Sequence, residues 1–209
     1  KPFDIEGFYK VKGIGSPVFS PDGQTILFTV TDYNFKDGKS ETDVYKVGYD
    51  GRSLFQMTKA EGRDADPFWS KDGESFYFVS KRTDTQQIWK MPFLGGKTEQ
   101  ITDISTGVEH PQLSPDGKKI AFISRVFPEY GADDDKNRAL NKDIEKSPIK
   151  VHIADHLLYR HWDSWADGKR YHILVLDIQS EKITDVTPGD FDSPTLSDAG
   201  EFAFSPDSK

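Results

Sequence analysis

The sequence predicts an all-β chain built from the four-stranded antiparallel blades of a β-propeller. A Ser-x-Asp-Gly turn recurs with an alternating apolar strand behind it, in "FSPDGQTILFTV" (Phe19–Val30), "WSKDGESFYFVS" (Trp69–Ser80) and "LSPDGKKIAFIS" (Leu113–Ser124). The recurring aspartates Asp22, Asp72 and Asp116 lie 50 and 44 residues apart. A period of roughly 40–50 residues with four strands per unit is that of propeller blades. Aromatic residues make up 13% of a chain that is 35% apolar, a balance that suits sheets better than helical bundles.

Each element follows from local chemistry. Asp-Gly between two apolar runs signals a hairpin, because Gly accepts positive φ and Asp caps its own turn. Pro17, Pro67 and Pro111 are expected just before the first strand of each unit, where no ladder donor is needed. Behind each turn a strand reads with period two, as in Phe76 and Phe78 against Tyr77 and Val79. Second turns at Tyr49-Asp50-Gly51 and Leu94-Gly95-Gly96 lead to short strands over Leu54–Thr58 and Glu99–Thr102. The third unit is interrupted by a polar stretch over Arg125–Asp155, in which Asp133–Lys146 has acids at its start and precedes Ser147-Pro148. That stretch predicts a short helical or partly disordered insertion. The unit resumes with strands over Tyr171–Ile178 and Lys182–Val186.

The expected organisation is one partial propeller domain over 1–209: blade 1 over about 16–60, blade 2 over about 64–104, blade 3 over about 109–188 with an insertion at 125–156, and the start of blade 4 over about 190–209. Propellers close with typically four to eight blades. The chain is therefore expected to be part of something longer, with open edges that invite self-association.

Composition excludes several partners. A net charge of -8 argues against nucleic acid, which needs a basic face. No window approaches the roughly 18 apolar residues of a membrane helix, so no membrane partner is expected. With no cysteine, disulfides and thiolate zinc sites are ruled out. A start at Lys1 without Met suggests processing or trimming. The compartment reads as periplasmic or secreted ahead of cytoplasmic.

Two stretches narrow the class. "YRHWDSWADGKRYHILVLDI" (Tyr159–Ile178) carries a His-Trp-Asp-x-Trp segment behind the insertion, and "DVTPGDFDSPTLS" (Asp185–Ser197) follows it. With the opening "FYKVKGIGSPVFSPDG" (Phe8–Gly23), they resemble the N-terminal propeller of prolyl-oligopeptidase-family serine peptidases, in the dipeptidyl-peptidase 5 and acylaminoacyl-peptidase branch. The blades alone also resemble TolB-like propellers. The resemblance implies a C-terminal α/β-hydrolase domain carrying serine, aspartate and histidine, with the propeller admitting only short peptides. The Gly-x-Ser-x-Gly elbow of such a domain is begun at Gly38-Lys39-Ser40, Gly51-Arg52-Ser53 and Gly73-Glu74-Ser75, and fails each time at Thr42, Phe55 or Tyr77. The expectation is a non-catalytic portion, inactive alone and without cofactor, whose partners are peptide substrates and the missing hydrolase domain. The alternative is a TolB-like module that binds a partner protein; a stand-alone lactonase using the channel is weaker, because no converging ligand set is visible.

His161, Asp163 and Ser164 have the letters of a charge relay but not its spacing. In one extended segment His161 and Asp163 share a face and Ser164 takes the other, and contiguous residues cannot place a base between carboxylate and nucleophile. Trp162 and Trp165 are expected to pack under the insertion. The lining alternative makes Arg160, His161, Trp162, Asp163 and Trp165 face substrate or the hydrolase domain, with Arg160 pairing a carboxylate. Glu109 is a further lining candidate, because the resemblance implies propeller carboxylates that can bind a peptide's amino terminus. His152 and His156 have helical i, i+4 spacing but lack the glutamate of a zinc helix. Asp133-Asp134-Asp135 lacks the alternation of a calcium loop. No metal is expected.

Overall fold

The turn that punctuates the sequence is closed by its own side chains. Ser20, Ser70 and Ser114 donate their hydroxyls to Asp22, Asp72 and Asp116 at 2.5, 2.6 and 2.6 Å. Each serine Oγ also accepts a backbone N–H five residues on, from Thr25, Ser75 or Lys119. Each aspartate accepts the N–H two residues on, from Gln24, Glu74 or Lys118, at 3.0 Å. Gly23, Gly73 and Gly117 then turn the chain at φ of 70°, 73° and 76°, a region costly to side chains bearing a Cβ. The serine hydroxyl first, and the backbone N–H next, hold all three aspartates below the usual carboxylate range.

The computed structural model of the chain describes residues 4–154, 160–161, 164–194 and 202–208. They divide into two units, Lys1–Asp103 and Ile104–Lys209. In the first, a short helix α1 (Ile5–Tyr9) precedes β1 (Gly13–Phe19), β2 (Thr25–Tyr33), β3 (Ser40–Gly48) and β4 (Phe55–Gln56), which form one antiparallel sheet in sequence order. A second such sheet contains β5 (Asp64–Trp69), β6 (Ser75–Ser80), β7 (Gln87–Pro92) and β8 (Glu99–Gln100). In the second unit, β9 (Glu109–Leu113) and β10 (Lys119–Val126) lead to helix α2 (Asp134–Lys146) and a small hairpin of β11 (Arg160–His161) and β12 (Ser164–Trp165). The sheet is completed by β13 (Arg170–Asp177) and β14 (Ile183–Asp185), in the order β9-β10-β13-β14. The chain is all-β, with meander sheets of the kind that make propeller blades.

One expectation needs correction. Pro17, Pro67 and Pro111 lie inside β1, β5 and β9 rather than before them. Each sits in a bulge, where the register shifts between Gly15 and Val18, between Ala65 and Phe68, and opposite Ala121 to Ile123. The two bulged residues of each strand oppose one phenylalanine: Phe28, Phe78 or Phe122. The residue before each proline, Ser16, Asp66 or His110, takes φ of 49°. A bulge frees the proline from the ladder it could not serve. The second point concerns β6, read with period two as Phe76 and Phe78 against Tyr77 and Val79. Phe76, Tyr77, Phe78 and Val79 are all at most 4% exposed, so the alternation in sequence is not an alternation in burial.

The core of the first unit joins its two sheets. Leu27, Val44 and Met57 pack against Trp69, Phe76 and Phe78, and the Trp69 indole donates to the Val18 carbonyl at 3.3 Å. Full burial of each large apolar side chain contributes about 1.5–3 kcal/mol. In each four-stranded sheet a threonine clasps the third strand: Thr58, Thr102 and Thr187 accept the N–H of Val44, Ile88 and Ile173, each at 2.9 Å.

Candidate functional site

The insertion between β10 and β13 is anchored by its helix. Asp133 caps α2 by accepting from the Lys136 N–H, and Asp134 accepts from both the N–H and the hydroxyl of Ser105 at 2.7 Å. Asn137, 1% exposed, accepts the Phe127 N–H and donates to the carbonyls of Gly131 and Asp133, each at 2.9 Å. Ser147 ends the helix, and the Lys150 ammonium returns to the Glu145 carbonyl at 2.8 Å, where a helix end favours a cation.

Past the helix the chain forms a cavity of about 460 Å³. Apolar Ile144, Ile149 and Val151 line it together with Glu145, His152 and Asp167. The His152 ring stacks on Trp165 at 4.2 Å and 5° between planes. Its Nδ1 lies 2.6 Å from the Asp167 carboxylate, which the turn Asp167-Gly168 presents with φ of 49° and 76°. Arg160 lies 5.7 Å from the Trp165 ring, and Arg125 donates to the Trp165 carbonyl at 2.6 Å. Burial, and next the Arg125 charge, push the Lys169 ammonium below its ordinary range. The arrangement provides an apolar wall, an aromatic platform and a histidine oriented by a carboxylate.

The predicted site residues are distributed unevenly. Arg160 and Trp165 pair across the β11–β12 hairpin, as do His161 and Ser164. That replaces the single extended segment expected from the sequence, in which His161 and Ser164 take opposite faces. Trp162 and Asp163 lie outside the described residues, as does His156. Glu109 opens β9 opposite Ile123, exposed to solvent, and is not among the residues that line the cavity. Sequence reasoning missed the partnership of His152 with Asp167; only the Asp-Gly turn that presents the carboxylate was visible. It also missed His172, which is fully buried between Asp185 and Gly189. The clasping threonines were legible as a recurring threonine two residues beyond Gln56, Gln100 and Asp185.

Comparison with known proteins places this architecture. Dipeptidyl-peptidase 5 of Porphyromonas gingivalis is 27% identical over 208 residues, covering 97% of this chain and 29% of that protein. The acylaminoacyl peptidase of Pyrococcus horikoshii superposes with a TM-score of 0.64 at 14% identity, over 87% of this chain and 25% of that one, a likeness of fold alone. TolB from Acinetobacter baumannii superposes with a TM-score of 0.53 at 25% identity, over 83% of this chain and 32% of that one. The chain spans less than a third of the length of each. The sequence pattern of the TolB beta propeller domain matches residues 6–147, more than half of the chain, and the chain belongs to that family.

Proposed function

We propose that this chain is the non-catalytic propeller portion of a serine exopeptidase, which admits short peptides to a hydrolase domain and excludes folded protein. The observation that carries this reading is the extent of the dipeptidyl-peptidase 5 alignment. At 97% of the chain it extends past both ends of the insertion between β10 and β13, the feature that sets this propeller apart from a plain run of blades. The cavity and the His152–Trp165 platform support a lining role for the insertion, in which Arg160 and Trp165 belong to the chamber wall and Glu109 to a blade edge. Hydrolysis by the whole protein would pass through an acyl-enzyme at a serine outside these residues.

The second reading, a propeller that binds a partner protein, draws on the likeness to TolB. One assay separates the two. The intact gene product and the 209-residue chain are given dipeptidyl and acyl-aminoacyl chromogenic substrates. Release by the intact product alone, abolished by a serine-directed inhibitor, is the expected result. Silence from both, with one stoichiometric protein recovered from lysate, transfers the assignment to the binding module.

A further inference from the structure

The insertion carries an edge that no strand pairs. Beyond α2, residues 149–154 run without a turn or bend. The Ser147 hydroxyl engages both backbone groups of Ile149, donating to its carbonyl at 3.3 Å and accepting its N–H at 3.2 Å. No hydrogen bond from any described residue reaches the backbone of Val151, His152 or Ile153. In an extended segment Ile149, Val151 and Ile153 share one face. They are 68%, 65% and 87% exposed. Branched apolar side chains in alternation, beside unpaired ladder groups, form a template for another strand.

The sheets of the molecule guard such edges and this segment does not. β1, β5 and β9 each carry a proline and a bulge, and β4 and β8 are two residues long. Residues 149–154 contain neither a proline nor a bulge. Their one lysine, Lys150, turns its ammonium back to the last carbonyls of α2 rather than standing over the edge. The opposite side is fastened, because His152 stacks on Trp165 and bonds Asp167. The segment is thus held in place while its apolar face and backbone stay open.

The adjoining cavity defines what fits. Its 460 Å³ falls within the roughly 300–1,000 Å³ of small-ligand clefts, and Ile144, Ile149 and Val151 make its wall apolar. Charge around it is balanced: Glu145 and Asp167 are set against Lys150 and the nearby Lys169. An incoming charge would lose water without gaining an unmatched partner. We infer that residues 149–153 are a docking strand for an extended, uncharged peptide, which pairs its backbone with Val151 and Ile153 and seats an apolar side chain in the cavity. The choice of a peptide as occupant rests on the reading of this chain as the propeller of a peptidase. Recognition through the main chain accepts many sequences and selects against proline and against charge.

The test adds acetyl-Thr-Val-Thr-Val-Thr-amide to the ¹⁵N-labelled 209-residue chain. The amide signals of Val151 and Ile153 are expected to shift, and their hydrogen exchange to slow about tenfold at saturation. The same peptide N-methylated at its three central residues keeps its side chains but loses its donors, and should bind about tenfold more weakly. Ile153→Asp, at an exposed position that leaves the fold intact, should weaken the unmethylated peptide to a similar extent. Equal affinity for the methylated peptide, unchanged affinity in Ile153→Asp, or silence of the Val151 and Ile153 amides overturns the inference. Exchange that slows with chain concentration in the absence of peptide gives the edge to a second copy and overturns it as well. Binding is read without hydrolysis, so a silent peptidase assay with binding intact defeats the proposed function alone.

Discussion

Breaking the ion pair of Asp64 and Arg82 should reveal how strongly the first unit depends on a buried charge. Asp64 opens β5 and is 1% exposed, while Arg82, just past β6, is 23% exposed, with 2.6 Å between carboxylate and guanidinium. The guanidinium lies 5.0 Å from the Phe78 ring and 5.6 Å from the Trp89 ring, and its buried Nε has no acceptor among the described residues. The two halves are unequal. Arg82→Met strands a carboxylate that has no water to turn to, at a cost of about 3–5 kcal/mol. Asp64→Asn leaves a partly exposed cation able to recover some hydration, at about 1.5–3 kcal/mol. The double variant removes both charges and should cost less than Arg82→Met alone, giving a coupling of about 2 kcal/mol or more. Urea unfolding at neutral pH, followed by fluorescence, reads each cost. With a slope of about 2 kcal/mol/M, Arg82→Met moves the midpoint by roughly 1.5–2.5 M. Costs that simply add, or a larger loss from Asp64→Asn than from Arg82→Met, would refute the argument from desolvation.

Other perturbations test other parts of the molecule. Gly23 is at φ 70° with open space where a Cβ would go; Gly23→Ala should cost about 1–2 kcal/mol from backbone conformation alone, and Gly23→Asn less, as thermal unfolding would show. Asn137→Ala leaves the Phe127 N–H without its acceptor and should cost about 2–3 kcal/mol, with the insertion helix losing hydrogen-exchange protection before the sheets do. His110→Gly removes a left-handed side-chain residue and should raise stability by about 0.5–1 kcal/mol; a loss would mean the imidazole makes a contact worth more than the strain. The turn aspartates have depressed folded values, so their stabilisation is present above the ordinary carboxylate range and lost as pH falls through those values. Ellipticity should therefore drop on acidification below about pH 4, and Ser70→Ala should make that drop shallower.

Much of the fold was legible because its signals are local. Ser70, Asp72 and Gly73 close their turn with atoms that are near neighbours in sequence, and the helix start at Asp133 and its stop at Ser147 likewise need no distant partner. The bulges were half visible: proline at 17, 67 and 111 marked a break in the ladder, but its place inside the strand depends on pairing opposite Phe28, Phe78 and Phe122. The site was less legible. His152 meets Asp167 only after the insertion folds back, and 15 residues of sequence separation carry no periodicity that would announce it. His172 read as one more member of an alternating strand, because its partners come from the next strand and from the turn beyond it.

The bulged first strands bear on how the chain can be made. β1, β5 and β9 are each the first strand of their sheet and lie at its edge, the position from which a bare strand recruits another. A proline without an N–H, a left-handed residue before it and a local break in register spoil that edge as a template. At the opposite edge β4, β8 and β14 are two or three residues long, too short to offer much of a ladder. During synthesis a finished blade can therefore wait for its successor without capturing a neighbouring ribosome's product. Both edges of each four-stranded sheet are thus poor templates for backbone pairing between copies.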